Sequence, residues 1–408
     1  MASEILPDTA EAAAEAIAQA AVGKSPLEIV GRGSKRGLGR PLSCAATLNL
    51  SKLTGITLYE PEELVLRAAA ATPMTQIEQA LDEKGQMLAF EPPDIGFLLG
   101  QPPGGASIGG VLSCNLSGPR RIKAGAARDH FLGFTAVSGR GEIFKSGGRV
   151  MKNVTGYDMM KLLTGAYGTL AAMTSVTVKV LPRHEKTYTL LLFGLDETAA
   201  GRAMRRALAS PYEVSAAAHL PAEAAAASEV SYLSEDGRAT TALRLEGPGP
   251  SVTHRIAALR QALSDFGSGE ELHSQNSLTF WREVRDLTFF AGDSTQPLWR
   301  ISVAPDAGPA LAQVLTRRLP GSQCLLDWGG GLVWLRLPDS GEAAHRQIRE
   351  ALPPGAGHAT LLRASQPLRA AIAVFQPQEP ALAALTARVK DGFDPMRILN
   401  PGRMYEGL

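Results

Sequence analysis

The sequence predicts an α+β protein whose two halves are organised differently, the second of them around an antiparallel sheet. Before residue 183, short apolar strands are separated by glycine-rich loops. After residue 187, strands and helices follow in the order β-α-β-β-α, and the same order occurs a second time, which is typical of two ferredoxin-like halves that share one sheet. The 408 residues, of which 45% are hydrophobic and 20% charged, suffice for two or three globular domains.

Bulk properties exclude several classes of function. The net charge of +1 gives no field that would attract nucleic acid or an anionic membrane. No window holds the roughly 20 apolar residues of a membrane span, and the N-terminus lacks the basic and apolar segments of a signal peptide. Cys44, Cys114 and Cys324 lie too far apart for a disulfide framework or an iron–sulfur ligand set, so we expect a protein of the reducing cytoplasm without a metal site.

The first half begins with a helix and a strand that lead into a basic loop. An alanine-rich helix is predicted over 11–20, with Asp8 or Thr9 as its N-cap, and a strand over 27–30. The loop 31–40 contains four glycines and four cations. It can wrap a diphosphate, because glycine exposes backbone N–H groups and the cations supply counter-charge. A solvated basic loop is the alternative.

Periodicity, turn residues and capping signals predict the remaining elements. Strands are predicted over 55–59, 64–68, 86–90, 131–137, 142–145, 172–180, 187–193, 212–216, 240–245, 298–303, 324–327, 332–337 and 359–362. Helices are predicted over 74–84, 159–163, 197–209, 251–263, 309–318, 342–352 and 379–390. Thr72 is expected to cap the second helix, and the alanine- and serine-rich segment 222–235 is interpreted as a mobile loop.

Glycine is dense between residues 100 and 174. Each glycine inside a strand or helix costs roughly 0.5–1 kcal/mol relative to alanine, so such a series needs a reason. Backbone N–H groups without side chains beside them form nests that bind phosphate. Together with the basic loop 31–40, this stretch favours a large phosphate-bearing cofactor over a set of ordinary tight turns.

Several motifs in this half occur in a recognisable order. They are Pro103-x-x-x-Ser107-Ile108-Gly109-Gly110, Asn115-x-Ser117-Gly118, Arg128-Asp129 before Leu132-Gly133, Gly156-Tyr157-Asp158 and Gly165-x-x-Gly168-Thr169-Leu170. In this order they resemble the FAD-binding domain of the p-cresol methylhydroxylase (PCMH) and vanillyl-alcohol oxidase superfamily. The runs 117–121, 151–158 and 400–404 are most similar to the FAD-binding subunits of bacterial glycolate oxidases.

The resemblance implies a fold and a domain division. A two-lobed PCMH-type FAD-binding domain is expected over residues 1–183, and a ferredoxin-like antiparallel-sheet cap domain for substrate over 184–375. A C-terminal helix and tail over 376–408 would return to the FAD-binding domain. The two lobes would clasp an extended FAD, and the cap would cover the flavin ring.

The resemblance also implies which residues bind FAD. Those expected at the pyrophosphate are Arg32, Gly33, Ser34, Lys35 and Arg36. Those expected along the phosphate and flavin are Ser107, Gly109, Gly110, Ser113, Asn115 and Gly118, and those near the adenine or the flavin edge are Gly165, Gly168 and Thr169. These assignments agree with the inference from glycine density, which requires backbone donors around an anion.

The sequence departs from the family pattern in three places. Relatives that tether FAD covalently use a histidine, and neither motif has one here, so we expect FAD without a covalent link. Tyr167 stands where relatives often have glutamate. The H-x-G-x-G-N-x-H run of related 2-hydroxy-acid dehydrogenase subunits is absent, and the seven histidines are scattered.

Oxidation of a 2-hydroxy acid needs a base, a cation for the carboxylate and a flavin that accepts hydride. Arginine suits the carboxylate because its planar fork binds both oxygens. Arg282, Arg285 and Arg300, two of which follow a tryptophan, are the substrate candidates, with surface packing as the alternative interpretation. His273 is a further candidate near a pocket, but the sequence identifies no catalytic base.

The resemblance implies an FAD-dependent oxidoreductase, namely the FAD-binding subunit of a complex that oxidises glycolate to glyoxylate and passes electrons to partner subunits. The expected partners are a second FAD-containing subunit and an iron–sulfur subunit, in the cytoplasm or at the inner face of the membrane through the complex. The alternatives are a self-sufficient FAD-linked dehydrogenase of another hydroxy acid or alcohol, and a scaffold subunit with a vestigial flavin site.

Overall fold

A computed structural model describes residues 3–148, 156–292, 295–338, 342–353 and 355–408 of the chain. The chain forms two compact units. The first unit comprises Met1–Ser117, Gly125–Pro182 and Ala373–Leu408, and the second comprises Gly118–Ala124 and Arg183–Ile372. The C-terminal segment therefore belongs to the first unit, and the short segment 118–124 belongs to the second. The motif residues 151–155 lie outside the described residues.

The elements up to residue 182 are, in chain order, β1 Ser3–Ile5, α1 Ala10–Val22, β2 Leu27–Val30, β3 Ala46–Asn49, β4 Ile56–Glu60, β5 Val65–Ala69, α2 Met74–Asp82, β6 Gln86–Met87, α3 Ile108–Ser113, α4 Arg121–Ala124, β7 Phe131–Ser138, β8 Ile143–Gly147, α5 Met159–Leu163, β9 Ala171–Lys179 and β10 Leu181–Pro182.

The elements after residue 182 are β11 Lys186–Phe193, α6 Glu197–Leu208, β12 Ala216–Leu220, α7 Ala222–Ala225, α8 Ser231–Asp236, β13 Thr240–Gly247, α9 Gly249–Ala262, β14 Glu270–His273, α10 Ser274–Asp286, β15 Leu298–Ser302, α11 Gly308–Arg318, β16 Gln323–Asp327, β17 Leu332–Arg336, α12 His345–Glu350, β18 His358–Arg363, α13 Gln366–Ala371 and α14 Pro380–Phe393.

The first unit contains two main sheets. A parallel sheet has the strand order β1-β3-β2, and an antiparallel sheet has the order β4-β5-β9-β7-β8. Helix α1 is amphipathic and buries Ala13 and Ile17 against a core that includes Leu48 and Val137. As predicted, Thr9 caps this helix, since its hydroxyl accepts a hydrogen bond from Ala12 N at 3.0 Å.

The C-terminal tail after α14 packs into the core of the first unit. Leu27 and Leu399 form a parallel bridge beside β2, with Leu27 N donating to Ile398 O at 2.7 Å. Lys390, the one buried residue of α14, donates from Nζ to Asp394 Oδ2 at 2.7 Å and to Leu399 O at 2.8 Å. The same ammonium donates to Thr169 O at 2.6 Å, so one buried cation joins the tail to a turn of the glycine-rich stretch.

The second unit is built on one eight-stranded antiparallel sheet. Its strand order is β14-β11-β13-β12-β16-β17-β15-β18. Strands β11 to β14 form one half of the sheet and β15 to β18 form the other. Counted outwards from the central pair β12 and β16, the two halves have the same strand order. This confirms the predicted ferredoxin-like rhythm around a shared antiparallel sheet.

Two predictions in the second unit are wrong. The strand predicted over 212–216 lies at Ala216–Leu220, where all five residues are buried, so burial outweighs the low strand propensity of alanine. The segment 222–235, predicted as a loop, contains α7 and most of α8. Its helical conformation has a tertiary anchor, because the buried carboxylate of Glu283 accepts a hydrogen bond from Ser228 Oγ at 2.6 Å.

Two predictions in the first unit are also corrected. Pro73 occupies the N-cap position of α2, and the Thr72 hydroxyl donates instead to Ala69 O at 2.7 Å. The strand predicted over 86–90 is shortened to β6, because the chain turns after it and Glu91 N donates to Leu88 O. The predicted elements do not include β1, β3, α3, α4, β10, β14, α10 or α13.

We predict that Lys390→Met lowers the free energy of unfolding by about 3–5 kcal/mol, because Asp394 would stay buried without its cation. Guanidinium unfolding followed by circular dichroism measures this change. Arg388→Met is the matched control, since Arg388 is exposed on the same helix and its loss should cost no more than about 0.5 kcal/mol. Equal stability of the two variants would contradict the role of the pair.

Candidate cofactor site

One cleft in the first unit brings together four segments of the chain: the basic loop after β2, helix α3, the turn before β9 and the C-terminal tail. The predicted FAD-binding residues that line it are Arg32, Gly33, Ser34, Lys35, Arg36, Ser107, Gly110, Ser113 and Gly168. Cys114, Tyr167, Asn400 and Arg403 also line it and were not predicted as binding residues.

The basic loop presents cations of different character to this cleft. Lys35 is half-buried and donates from Nζ to Ser34 Oγ at 3.2 Å. Burial lowers the pKa of the Lys35 ammonium, although Cys114 and Asp94 act in the opposite direction. Arg36 is half-exposed and pairs with Glu28 through Nε at 3.1 Å.

Arg403 of the tail fixes the shape of the basic loop. Its Nη1 donates to the carbonyl oxygens of Arg36 and Leu38, each at 3.0 Å. Its Nη2 donates to Glu28 Oε1 at 3.2 Å, and its own carbonyl accepts a hydrogen bond from Arg40 N at 2.8 Å. Arg403 is buried, so these contacts form where water competes little.

The electrostatics of Glu28 follow from its two arginine partners. Burial alone would raise the pKa of this carboxyl, but the hydrogen bonds and charges of Arg36 and Arg403 outweigh it and hold the pKa below its ordinary value. The carboxylate therefore stays ionised and joins β2, the basic loop and the tail.

Asn400 fixes a second side of the cleft. Its Oδ1 accepts a hydrogen bond from Ile29 N and its Nδ2 donates to Tyr167 O, both at 2.8 Å. Gly168, in the same turn, has φ +70°, and a Cβ there would lie 2.7 Å from Asn400 Nδ2. Only glycine fits at this position, so the turn sits directly against the tail.

The cleft fits an anionic cofactor with a diphosphate. A Cβ on Gly31 would lie 2.9 Å from Ser107 Oγ, and one on Gly110 would lie 3.2 Å from that oxygen and 3.6 Å from Lys35 Cδ. Because Gly31 and Gly110 have no side chains, backbone and hydroxyl groups are accessible beside a lysine and two arginines. Donors of this kind around a concave surface suit a phosphate group.

The other predicted binding residues lie elsewhere. Gly109 packs against the residue that follows β5. The Gly109 N–H donates to Ala70 O at 2.8 Å, and a Cβ on Gly109 would lie 2.7 Å from the same oxygen. Asn115, at φ +50°, accepts a hydrogen bond from Arg128 N at 3.4 Å. Gly118 belongs to the second unit.

Gly165 and Thr169 line a second cavity of the first unit, with a volume of about 280 Å³. It is bordered by apolar side chains of α14, among them Leu382 and Leu385. The Thr169 hydroxyl donates to Ala166 O at 2.7 Å, which stabilises the turn. Thr169 therefore supports the turn that carries Tyr167 and Gly168.

The predicted substrate arginines belong to the second unit and differ in environment. Arg282 is exposed on α10. Arg285, on the same helix, forms a two-point ion pair with Asp286 at 2.8 and 2.7 Å. Arg300, on β15, lies over the ring of Trp328 at 5.1 Å. His273 stacks on Tyr188 at 4.1 Å, a structural contact at the edge strand β14.

The described residues contain no group of three or more histidine, cysteine or acidic side chains arranged for a metal ion. Within the same ranges, no helix combines the length and apolarity needed to cross a bilayer.

We predict that Gly39→Ala weakens FAD binding roughly tenfold or more, because overpacking of about 1–3 kcal/mol would displace Arg403 from the loop. Gly39 has φ +77°, and a Cβ would lie 2.7 Å from Arg403 Cδ. Gly85→Ala is the matched control, since Gly85 has φ +62° with open space around it. Quenching of flavin fluorescence in reconstituted protein measures both affinities, and equal losses would contradict the role of Arg403.

Comparisons with known proteins identify the chain's relatives. A family model described as FAD binding domain matches residues 2–147. Glycolate oxidase subunit GlcE of Escherichia coli is 36% identical over 403 residues, which cover 98% of this chain and 99% of that protein. Glycolate oxidase subunit GlcD of Bacillus subtilis is 31% identical over 168 residues, covering 40% of this chain and 34% of that protein.

Solved structures share the fold at low sequence identity. A p-cresol methylhydroxylase structure has a TM-score of 0.75 at 16% identity. The match covers 98% of this chain and 88% of the other chain. A 4-ethylphenol oxidase from Gulosibacter chungangensis has a TM-score of 0.72 at 13% identity. The match covers 99% of this chain and 89% of the other chain. The predicted PCMH-type fold is thereby confirmed.

The full-length match, the FAD-binding model and the fold agree with one another. They also agree with the resemblance that the glycine motifs and the basic loop suggested. The chain therefore belongs to the GlcE family of FAD-dependent glycolate oxidase subunits.

Proposed function

We propose that this chain is the FAD-binding subunit of a complex that oxidises glycolate to glyoxylate and passes the electrons to partner subunits. The observation that supports the proposal is the cleft of the first unit. The basic loop, helix α3 with Gly110, and the C-terminal tail all line this cleft. This cleft lies in a chain that matches a glycolate oxidase subunit from end to end.

The diphosphate of FAD would be held by the basic loop, with Arg32, Lys35 and Arg36 as cations and Ser34 and Ser107 as hydroxyl donors. Gly110 would let the ligand approach the α3 backbone, and Tyr167 would border it from the turn. When bound, FAD supplies an acceptor for the hydride that leaves the alcohol carbon. The chain's own residues bind and orient the cofactor.

We propose that FAD is bound without a covalent link. None of the described residues that line the cleft is a histidine, and the position often held by glutamate in relatives is Tyr167. Its ring meets Phe375 edge-on at 5.0 Å, so the phenol is positioned by packing inside the first unit. Acid precipitation of the protein should then release the flavin into the supernatant.

The proposed partners are a second FAD-containing subunit and an iron–sulfur subunit. The chain has three cysteines, all free thiols, whereas an iron–sulfur cluster needs about four cysteine ligands. The similarity to GlcD supports a partner with a related FAD-binding part. Free thiols also suit the reducing cytoplasm, and we place the complex there, attached to the inner face of the membrane through its partners.

We predict that glycolate-dependent reduction of an electron-accepting dye requires the assembled complex. The measurement compares this chain alone, its co-expressed partners alone and all subunits together, without oxygen. Activity should appear only in the full set, because this chain contains FAD-binding residues but no iron–sulfur ligands. If the partners alone were as active as the full set of subunits, the proposal would be contradicted. Activity of this chain alone would support a self-sufficient dehydrogenase.

Lys35→Met should weaken FAD binding roughly tenfold or more, since a hydrogen bond to a charged group contributes about 1.5–3 kcal/mol. Lys52→Met, which removes an exposed lysine of the same unit, is the control. FAD affinity is measured by fluorescence titration of the apoprotein.

The pH dependence of this affinity follows from the lowered pKa of Lys35. The ammonium is fully charged below that pKa and is lost as pH rises through it. The ratio of the affinities of the unsubstituted chain and Lys35→Met should therefore be largest at pH values below that lowered pKa and shrink as pH rises through it. A ratio that stays constant across this range would show that the charge of Lys35 does not act on FAD.

A further inference from the structure

The second cavity of the first unit is lined by other residues than the cofactor cleft and is mostly apolar. Its volume is about 280 Å³. Helix α14 contributes Leu382, Leu385 and Val389 to its wall, and the C-terminal tail contributes Met404. An apolar cavity of about 150 Å³ stays dry and binds benzene, so the second cavity has room for one hydrocarbon ring with a substituent.

Most polar side chains in this wall are already engaged within the chain. The hydroxyls of Thr164, Thr169 and Thr386 donate to backbone carbonyls three or four residues earlier, at 2.7, 2.7 and 3.0 Å. Lys390 donates to three oxygens at 2.6, 2.7 and 2.8 Å, one of them on Asp394. Because Asp394 neutralises this ammonium, a charged ligand would give up its hydration without gaining a new ion pair there.

Gln378 and Tyr405 are the other polar side chains among the described residues that line the second cavity. Burial raises the pKa of the Tyr405 phenol, and a hydrogen bond with Gln378 acts in the opposite direction. The phenol therefore carries its proton at neutral pH. An amide and a phenol can each donate and accept, so one hydrogen bond between them leaves capacity for a ligand hydroxyl.

One turn lies between the second cavity and the cofactor cleft. Gly165, Ala166 and Thr169 line the cavity, whereas Tyr167 and Gly168 line the cleft. Tyr167 has φ +53°, a left-handed conformation that a bulky residue rarely adopts. Such a conformation costs free energy and persists only where the surroundings hold it.

Hydrogen bonds tie this turn to both sites. Tyr167 N donates to Ser113 O at 2.9 Å, and Ser113 lines the cleft. Thr169 O accepts from Lys390 Nζ at 2.6 Å, and Lys390 lines the second cavity. A ligand in either site would contact residues that hold the same strained turn. A turn ordered from one side costs less to order from the other, which gives positive coupling.

We propose that the second cavity binds a small uncharged molecule made of one hydrocarbon ring with a hydroxyl group, and that this binding strengthens FAD binding through the turn 165–169. The ring would lie among Leu382, Leu385 and Val389, with the hydroxyl beside Gln378 and Tyr405. The coupling rests on the proposed FAD site, whereas binding in the second cavity does not.

The first test is a methyl NMR titration of the full-length chain, labelled at leucine and valine, with three probes of equal size. Cyclohexanol should shift the methyl signals of Leu382, Leu385 and Val389. Cyclohexylammonium and cyclohexanecarboxylate should bind there at least about tenfold more weakly, because each would bury a charge without a partner. Equal affinities of the three probes at these methyl groups would contradict the assigned ligand class.

Leu385→Ala should weaken cyclohexanol binding about fivefold or more, because the ring loses apolar contact. Leu278→Ala is the matched control, since Leu278 and Leu385 are both 47% exposed and Leu278 lies on α10 in the second unit. Circular dichroism of both variants should equal that of the unsubstituted chain. Equal affinities of the two variants would overturn the inference.

The polar end of the second cavity has its own test. Tyr405→Phe removes only the hydroxyl, so it should weaken the binding of cyclohexanol and leave that of cyclohexane unchanged. If Tyr405→Phe bound cyclohexanol as tightly as the unsubstituted chain, the position assigned to the ligand hydroxyl would be wrong.

The coupling is measured as the FAD affinity of the apoprotein with and without saturating cyclohexanol. FAD should bind about fivefold more tightly with cyclohexanol present, and cyclohexanol should gain the same factor from FAD, since coupling between two sites is reciprocal. Unchanged FAD affinity would overturn the coupling.

The outcomes separate this inference from the proposed function. A chain that binds FAD but none of the three probes would overturn the inference and leave the cofactor assignment intact. Leu382 and Leu385 would then form a surface for a partner subunit instead. Cyclohexanol binding that depends on Leu385, in a chain that binds no FAD, would support the ligand site and contradict the proposed function.

Discussion

The structure of the first unit depends on the polar anchoring of its C-terminal tail. Lys390 joins Asp394 and Thr169, Asn400 joins β2 to the turn at Tyr167, and Arg403 holds the carbonyls of the basic loop. Each of these groups is buried and would be costly to leave without a partner. The last residues of the chain therefore fix the geometry of a cleft whose other walls were formed hundreds of residues earlier.

We propose that this arrangement lets a protein of low net charge hold a multiply charged cofactor. The net charge of +1 gives little attraction at long range, so the counter-charge has to be concentrated locally. The loop 31–40 concentrates it, and Glu28 orders two of the nearby arginines without removing Lys35 from the cleft. Gly31, Gly110 and Gly168 have no side chains, so the walls of the cleft stay close together.

Local signals in the sequence were sufficient for most of the fold. The alanine-rich helix α1, the hairpin of β7 and β8, and the repeated rhythm of the second unit follow from propensity, alternation and turn residues. Propensity failed at Ala216–Leu220, where burial on both faces decides the strand, and at α7, which follows a proline that ends β12. The glycines and cations of the loop 31–40 pointed to the cleft that this loop lines, but the sequence did not point to Arg403 and Asn400, because their contacts span more than 360 residues of sequence.

Hydrogen–deuterium exchange of the chain with and without FAD tests most directly whether the loop and the tail hold the cofactor together. We expect slower exchange on FAD binding in residues 31–40, 107–114, 165–169 and 398–403, with little change in the strands of the second unit's sheet. Protection that spares both 31–40 and 398–403 would contradict the account, because FAD would then bind somewhere other than the cleft that these segments form.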